Sequence, residues 1–353
     1  MAFMKSQGYL PLVSDRLRIA VLGASGYTGA DLVRLALGHP MVEIVALAAG
    51  ARAGASMADV WPHFAPNRLP RIVQANAIDW TGIDFVFGCL PHGASASLLS
   101  GIDGPRILDL SADFRLRDTA SYADWYGLAH PAPALLGVAV YGLTEYARDR
   151  LPAARLVACP GCYPTAALLA LLPIAELIDP ARVTINALSG VSGAGRAAKE
   201  ANLFTEIGES AAAYSVGCHR HMPEIEQELG RAAGRPATVS FTPHLVPMAR
   251  GELLTIIVEG APEPELRAAI AARYAKELFV HLLPEGVAPS TRMVRGSNHA
   301  VLNVFADRIP GRAILIAAID NLVKGSSGQA IQNMNLMAGL PETMGLEQVA
   351  LFP

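Results

Sequence analysis

Arg18-Ile19-Ala20-Val21-Leu22 is a short apolar run that passes without a break into Gly23-Ala24-Ser25-Gly26-Tyr27-Thr28-Gly29. A run of this kind reads as a buried parallel strand, and a turn so rich in glycine bends the chain directly into its next element. That element has helical spacing, with Leu32, Leu35 and Ala36 on one face and Gly38 placed to cap the end. A second strand is predicted over 43–49. This is the context in which glycines let a backbone approach a pyrophosphate while the helix start offers its free N–H groups. The spacing is G-x-x-G-x-x-G, not G-x-G-x-x-G, so the context carries the weight. Gly23, Ser25, Gly26, Tyr27, Thr28 and Gly29 are the candidate cofactor turn. After the second strand comes Ala48-Ala49-Gly50-Ala51-Arg52, with no acid to hold a ribose 2′-hydroxyl. Arg52, with Ser56, suits a 2′-phosphate instead, which points to NADP.

Two more strand-like runs end in candidate site segments, as expected where open parallel sheets bind ligands at the carboxyl ends of their strands. Residues 83–90 lead into Pro91 and His92, which read as cofactor-positioning groups. Residues 106–110 lead into Ser111-Ala112-Asp113-Phe114-Arg115. Arg115 is a candidate anion ligand for substrate, with a structural pair to Asp113 as the alternative. The chain has 353 residues, enough for about two domains, and a net charge of −3. It has no cluster of lysine or arginine, which argues against nucleic acid and anionic membranes as partners. Its longest apolar run, near residue 170, falls well short of the ~18 residues that span a bilayer. Residues 1–16 show neither a signal nor a transit pattern. The expectation is a soluble, cytoplasmic α/β protein acting on a small molecule.

Pro160-Gly161-Cys162-Tyr163-Pro164-Thr165 puts a thiol at the mouth of a predicted helix whose apolar run continues from Ala166 to Leu172. A helix start offers free N–H groups and the positive end of a dipole, both of which favour thiolate. Thiolate is the nucleophile of covalent acyl chemistry. Cys159 and Cys162 also form C-x-x-C, but the nearby ligand pair needed for zinc would be Cys218-His219, and adjacent residues seldom point the same way. No metal is expected. The base such a thiol needs is offered by His219-Arg220-His221. In an extended segment the two histidines face opposite ways, so one of them is expected to meet Cys162, with His244 a third candidate. Ser189-Gly190-Val191-Ser192-Gly193-Ala194-Gly195-Arg196 lacks the lysine of a nucleotide phosphate loop, yet its N–H groups suit a phosphate of substrate or cofactor. Strands are predicted over 183–188, 239–245, 253–259, 301–306 and 313–319, with a helix over 263–278. They describe an α+β unit on a largely antiparallel sheet.

Together with Asp320-Asn321-Leu322-Val323-Lys324-Gly325, these segments fall in an order that resembles the N-acetyl-gamma-glutamyl-phosphate reductase family, within the wider semialdehyde dehydrogenase group. The resemblance runs from about Arg18 to the end of the chain. It implies a Rossmann-type parallel-sheet domain over 17–160 and 323–353, and a catalytic and dimerisation domain over 161–322, in a homodimer or homotetramer. It also implies NADPH-dependent reduction of N-acetyl-L-glutamyl 5-phosphate to the 5-semialdehyde through a thioester on Cys162. His219 would be the acid/base, with Ser192, Gly193, Asn321 and Gly325 near the cofactor and Arg115 and Arg196 on substrate. Ser326-Ser327 and Glu252 depart from the pattern, both replacing residues that are usually apolar. A related reductase of aspartyl or aminoadipyl phosphate, and a non-catalytic NADP-binding sensor, are the alternatives.

Overall fold

The computed structural model describes residues 16–351, so the extension expected over 1–16 lies, apart from Arg16, outside the described residues. Seven strands form the first sheet: β1 (Leu17–Leu22), β2 (Val42–Ala48), β3 (Ile72–Val73), β4 (Phe85–Gly88), β5 (Arg106–Asp109), β6 (Val140–Tyr141) and β7 (Leu156–Ala158). Their order is β3-β2-β1-β4-β5-β7-β6, and every neighbouring pair is parallel. Strand order reverses between β1 and β4, which opens a crevice at their carboxyl ends. The unbroken burial of β1 from Ile19 to Leu22 is the mark of a strand covered on both faces.

The second sheet holds β8 (Val183–Gly190), β9 (Ala212–Ala213), β10 (Val239–Val246), β11 (Glu252–Glu259), β12 (Val280–Leu282), β13 (Ala300–Ala306) and β14 (Arg312–Ile319). Its order is β12-β13-β14-β11-β8-β10-β9, antiparallel except for the β8–β10 and β12–β13 pairs. Burial alternates along β11. Leu254, Ile256 and Val258 join the core with helices Cys162–Leu171, Met222–Ala233 and Glu263–Tyr274. Leu253, Thr255 and Ile257 turn to the opposite, half-exposed face, which Leu188, Ile314 and Ile316 share.

The chain then returns to the first sheet. Val323, Ala330, Ile331, Met334 and Met337 enter the same core as Ile19, Val21 and Leu32. A fully buried ion pair fixes the return: Lys324 Nζ donates to Glu145 at 2.6 Å and to Gln332 at 2.8 Å. Ser327, one of the two serines that break the expected apolar pattern, donates to Asp31 at 2.7 Å and to the Leu322 carbonyl at 2.6 Å. Arg250 reaches the same Asp31 carboxylate at 2.5 Å, so three parts of the chain meet on one buried acid. Burial raises the Asp31 carboxyl, but Arg250 and Arg34 outweigh it and hold it below the usual range.

Candidate active site

The glycine turn can only be made by glycine at its first position. Gly23 has φ +76°, and a Cβ there would lie 2.1 Å from the Cys89 carbonyl oxygen. Helix Tyr27–Leu37 starts after Gly26 with no side chain capping its first turn, which leaves N–H groups for a ligand. A cavity of about 740 Å³ extends from this turn to Cys162. Ser25, Gly26, Tyr27, Thr28, Pro91, His92, Ser192, Gly193, Asn321 and Gly325 all line it. Its size and its open donors fit a dinucleotide. Arg52 is exposed just beyond Gly50, which lines the cavity. Ser56 is not among the lining residues, and its hydroxyl caps the short helix Met57–Val60 by accepting from Asp59 N–H.

Arg196 lies on the cofactor side. Its guanidinium stacks 4.0 Å over Trp61 and donates to the Ser25 carbonyl at 2.9 Å. Arg115 lies deeper, donating to the carbonyls of Cys159 at 2.8 Å and Leu110 at 3.0 Å. Its ionic partner is Glu224 at 3.4 Å and not Asp113. Asp113 instead accepts the N–H groups of Gly93 and Ala96, so it holds the turn that carries His92. Arg220 stands 2.6–2.8 Å from the nitrogens of the exposed His92 ring.

Cys162 is the first residue of helix Cys162–Leu171, as the motif predicts, and it borders both the dinucleotide cavity and a second one of about 540 Å³. Its ionisation departs from expectation. Burial and the carboxylate of Glu252 push the thiol well up, and they outweigh the Tyr163 N–H and the Arg115 charge. The dipole is present but loses to desolvation. Gly325 presses on the thiol from the other side; a Cβ there would come within 2.8 Å of Cys162 Cβ. Gly325 sits in a π-helical turn, Val323–Ser327, a backbone form common at functional sites. Just before it, Asn321 accepts Gly251 N–H at 2.9 Å and donates to Ser192 Oγ at 3.0 Å, joining the loop after β8 to the return segment.

The two histidines do not diverge. Residues 218–221 form a turn, with Met222 N–H donating to the His219 carbonyl, so the extended-chain expectation fails. The ring centroids lie 4.8 Å apart, both rings meet Tyr163 edge-on, and both line the second cavity with Cys162. His221 is pressed against Gly161, where a Cβ would be 2.5 Å from its Nε2. His219 Nδ1 accepts the His221 N–H at 3.1 Å, which leaves the ring proton on Nε2. Burial and the Arg220 charge bring His219 down to about 4, and burial, then His219, hold His221 well below the usual imidazole range. Both are neutral at pH 7. His244 instead contacts the Ala187 carbonyl and lines neither cavity.

Residues 18–154 match the family model described as "Semialdehyde dehydrogenase, NAD binding domain", and residues 162–321 match "Semialdehyde dehydrogenase, dimerisation domain". A Rhodospirillum rubrum protein named N-acetyl-gamma-glutamyl-phosphate reductase is 54% identical over 352 residues, covering 97% of this chain and all of its own. The chain belongs to the N-acetyl-gamma-glutamyl-phosphate reductase family of semialdehyde dehydrogenases. An Arabidopsis thaliana relative described as a probable chloroplastic N-acetyl-gamma-glutamyl-phosphate reductase is 52% identical, over 96% of this chain and 86% of that one. Aspartate semialdehyde dehydrogenase II from Vibrio cholerae shares the fold with a TM-score of 0.70 at 16% identity, over 92% of this chain and 98% of that one. Two site residues escape the motif reading. Glu224 accepts the Gly161 N–H at 2.9 Å and the Tyr141 hydroxyl at 2.7 Å, bracing the start of the thiol helix. Glu252 stands out in sequence as an acid at the head of an alternating apolar strand, but its contact with Cys162 is made by tertiary packing.

Proposed function

We propose that this chain performs the reaction of its family: NADPH-dependent reduction of N-acetyl-L-glutamyl 5-phosphate to N-acetyl-L-glutamate 5-semialdehyde and phosphate. The observation that carries the reading is Cys162, set at a helix start between a dinucleotide-sized cavity and a second cavity lined by His219, His221 and Arg115. Cys162 Sγ attacks the acyl carbon, phosphate departs, and a thioester remains on the enzyme. A bound NADPH supplies the hydride that reduces it. The glycine turn and the start of helix Tyr27–Leu37 hold the pyrophosphate, and Arg52 is the candidate for the 2′-phosphate. His219, neutral with its proton on Nε2, offers that proton to the oxyanion formed as hydride adds to the thioester and takes it back as the thiohemiacetal collapses to aldehyde and thiolate. Arg115 gives the second cavity a fixed positive charge toward an anionic substrate, while Arg196 clamps the cofactor turn.

The same reading assigns 17–160 with 323–353 to the cofactor unit and 161–322 to the catalytic one. It also assigns the half-exposed apolar face of the second sheet to a homodimer or homotetramer contact, and the enzyme to the cytoplasm. Among the described residues no helix is long and apolar enough to cross a membrane. The test is the reverse assay, which tracks NADPH formed from N-acetyl-L-glutamate 5-semialdehyde, NADP⁺ and phosphate. Cys162→Ser should abolish it, and full activity in that variant would sink the covalent reading.

A further inference from the structure

A third cavity, of about 270 Å³, opens where residues 141–150 of the cofactor unit meet helix Met222–Ala233. That helix packs on the buried side of the second sheet, opposite the half-exposed face, so a subunit contact on that face leaves the cavity open. Tyr141, Tyr146 and Leu172 give the cavity an apolar wall, and Arg150, Glu228 and Arg231 give it a charged one. Glu228 is buried and has its partners already: Arg117 at 3.1 Å, Arg231 at 3.0 Å and the Gln227 amide at 2.9 Å. The Arg150 guanidinium, by contrast, has no hydrogen bond or ion pair among the described residues. Burial, then the charges of Arg231 and Arg117, lower its pKa, and Glu228 alone opposes them. Three guanidiniums therefore share one carboxylate around a concave, partly apolar space. An ion-pair cluster that served packing alone would balance its charge, whereas a concave site with excess positive charge concentrates anions. Arg150 and Arg231 come from different units of the chain, and each offers a planar fork that matches a carboxylate. The volume suits a ligand of small-metabolite size. We propose that this cavity is an effector site for a small organic dicarboxylate with a short apolar body, held by Arg150 and Arg231 and coupled to Cys162 through Tyr141 and Glu224.

Two chains of contacts lead from this cavity to the thiol. Tyr141 donates to Glu224 at 2.7 Å, and Glu224 accepts the Gly161 N–H at 2.9 Å and pairs with Arg115. Gly161 precedes Cys162, and the Arg115 charge favours the thiolate. The second chain runs through Gln227, beside Glu228, which donates to the Arg115 carbonyl at 3.0 Å and accepts the Arg117 N–H at 2.9 Å. Glu224 and Glu228 stand one turn apart on the same helix, so they share a face. A dicarboxylate seated in the cavity would compete with Glu228 for Arg231 and place two negative charges within a turn of Glu224. Added negative charge there opposes formation of a thiolate at Cys162. The effector is therefore an inhibitor, and by linkage a state that favours the thiolate binds it less well.

The test uses the full chain saturated with NADP⁺ and isophthalate as the probe, a rigid aromatic dicarboxylate. Titration calorimetry should show binding to the parent, with Arg150→Gln and Arg231→Gln each weaker by at least about tenfold. Benzoate, which has one carboxylate, should also bind at least about tenfold more weakly. No binding to the parent, affinity within threefold of the parent in both variants, or benzoate as tight as isophthalate overturns the assignment. Saturating isophthalate should slow alkylation of Cys162 by iodoacetamide by at least about fivefold. The same concentration should leave the rate in Arg150→Gln unchanged, and Tyr141→Phe should bind the probe yet lose its effect. A bound probe that leaves the parent rate unaltered overturns the effector role. Neither readout needs substrate, so a failure of the reductase reading would be visible separately, in the reverse assay. Arg150→Gln without the probe should keep kcat in that assay within twofold, and a tenfold loss there would make Arg150 part of the catalytic framework and overturn the proposal.

Discussion

Gly325→Ala isolates the contact on which the thiol's position depends. The added methyl would stand 2.8 Å from Cys162 Cβ and 3.2 Å from Cys162 Cα, whereas ordinary contact begins near 3.4 Å. The thiol and the return segment must therefore separate by some 0.6 Å, because the first atom met is the stem of the nucleophile and not the tip of a flexible side chain. Overpacking of this kind costs about 1–3 kcal/mol. Replacing a helical glycine by alanine recovers about 0.4–1 kcal/mol through the unfolded chain. The balance is a loss of at most about 2–3 kcal/mol, so the protein stays folded. Catalysis is less tolerant, since a misplacement of about 1 Å can cost 10²-fold in rate. The expected result is a kcat lower by about 10- to 100-fold in the reverse assay, with KM for NADP⁺ changed far less because the glycine turn is untouched. A folded variant whose kcat stays within twofold of the parent, or whose defect lies wholly in KM, would refute the reasoning.

Lys324→Met should destabilise the protein by about 3–5 kcal/mol, since it strands Glu145 in a fully buried site, while Lys324→Met combined with Glu145→Leu should recover most of that loss; chemical denaturation of the three proteins checks both. Two carboxyls give stability opposite pH signs. Asp31 is depressed in the fold, so its contribution is present above an unfolded value near 3.8 and is lost as pH falls through the lower folded one; Arg250→Gln should weaken the acid limb of a melting profile. Glu252 is raised, so its contribution is complete below about 4.5 and is lost as pH rises through about 8. Glu252→Gln should accordingly gain in melting temperature relative to the parent above pH 8, and an unchanged difference from pH 5 to 9 would contradict the burial argument.

The first sheet is legible in the sequence because its signals are local. The run Arg18–Leu22, the glycines after it and the cap at Gly38 each act within a few residues, and all three appear as expected. The short strands β3, β6, β7 and β12 carry too few residues to show a period, and they exist because longer neighbours offer them an edge. The site divides in the same way. Cys162 announces itself through a proline and glycine turn before an apolar helix. Its ionisation does not, because tertiary burial raises the thiol most and the carboxylate that adds to it sits ninety residues later on β11. The paired histidines escape the alternation rule because that rule holds only for extended backbone, and residues 218–221 turn. Arg115 likewise finds its partner on helix Met222–Ala233, which its own segment gives no means of foreseeing.

The return of residues 323–337 to the first sheet has a consequence for how the protein is made. The first strand of the cofactor unit is made some three hundred residues before Ala330, Ile331, Met334 and Met337, which pack into the same core. Until they emerge, Ile19, Val21 and Leu32 lack their covering, and Lys324 has not met Glu145. Contacts that span some three hundred residues slow folding, and an open apolar sheet face invites association with other chains. The nascent chain must therefore carry its nucleotide-binding half unfinished through synthesis of the entire catalytic half. A complete cofactor cleft then forms only after residues 323–337 have been made.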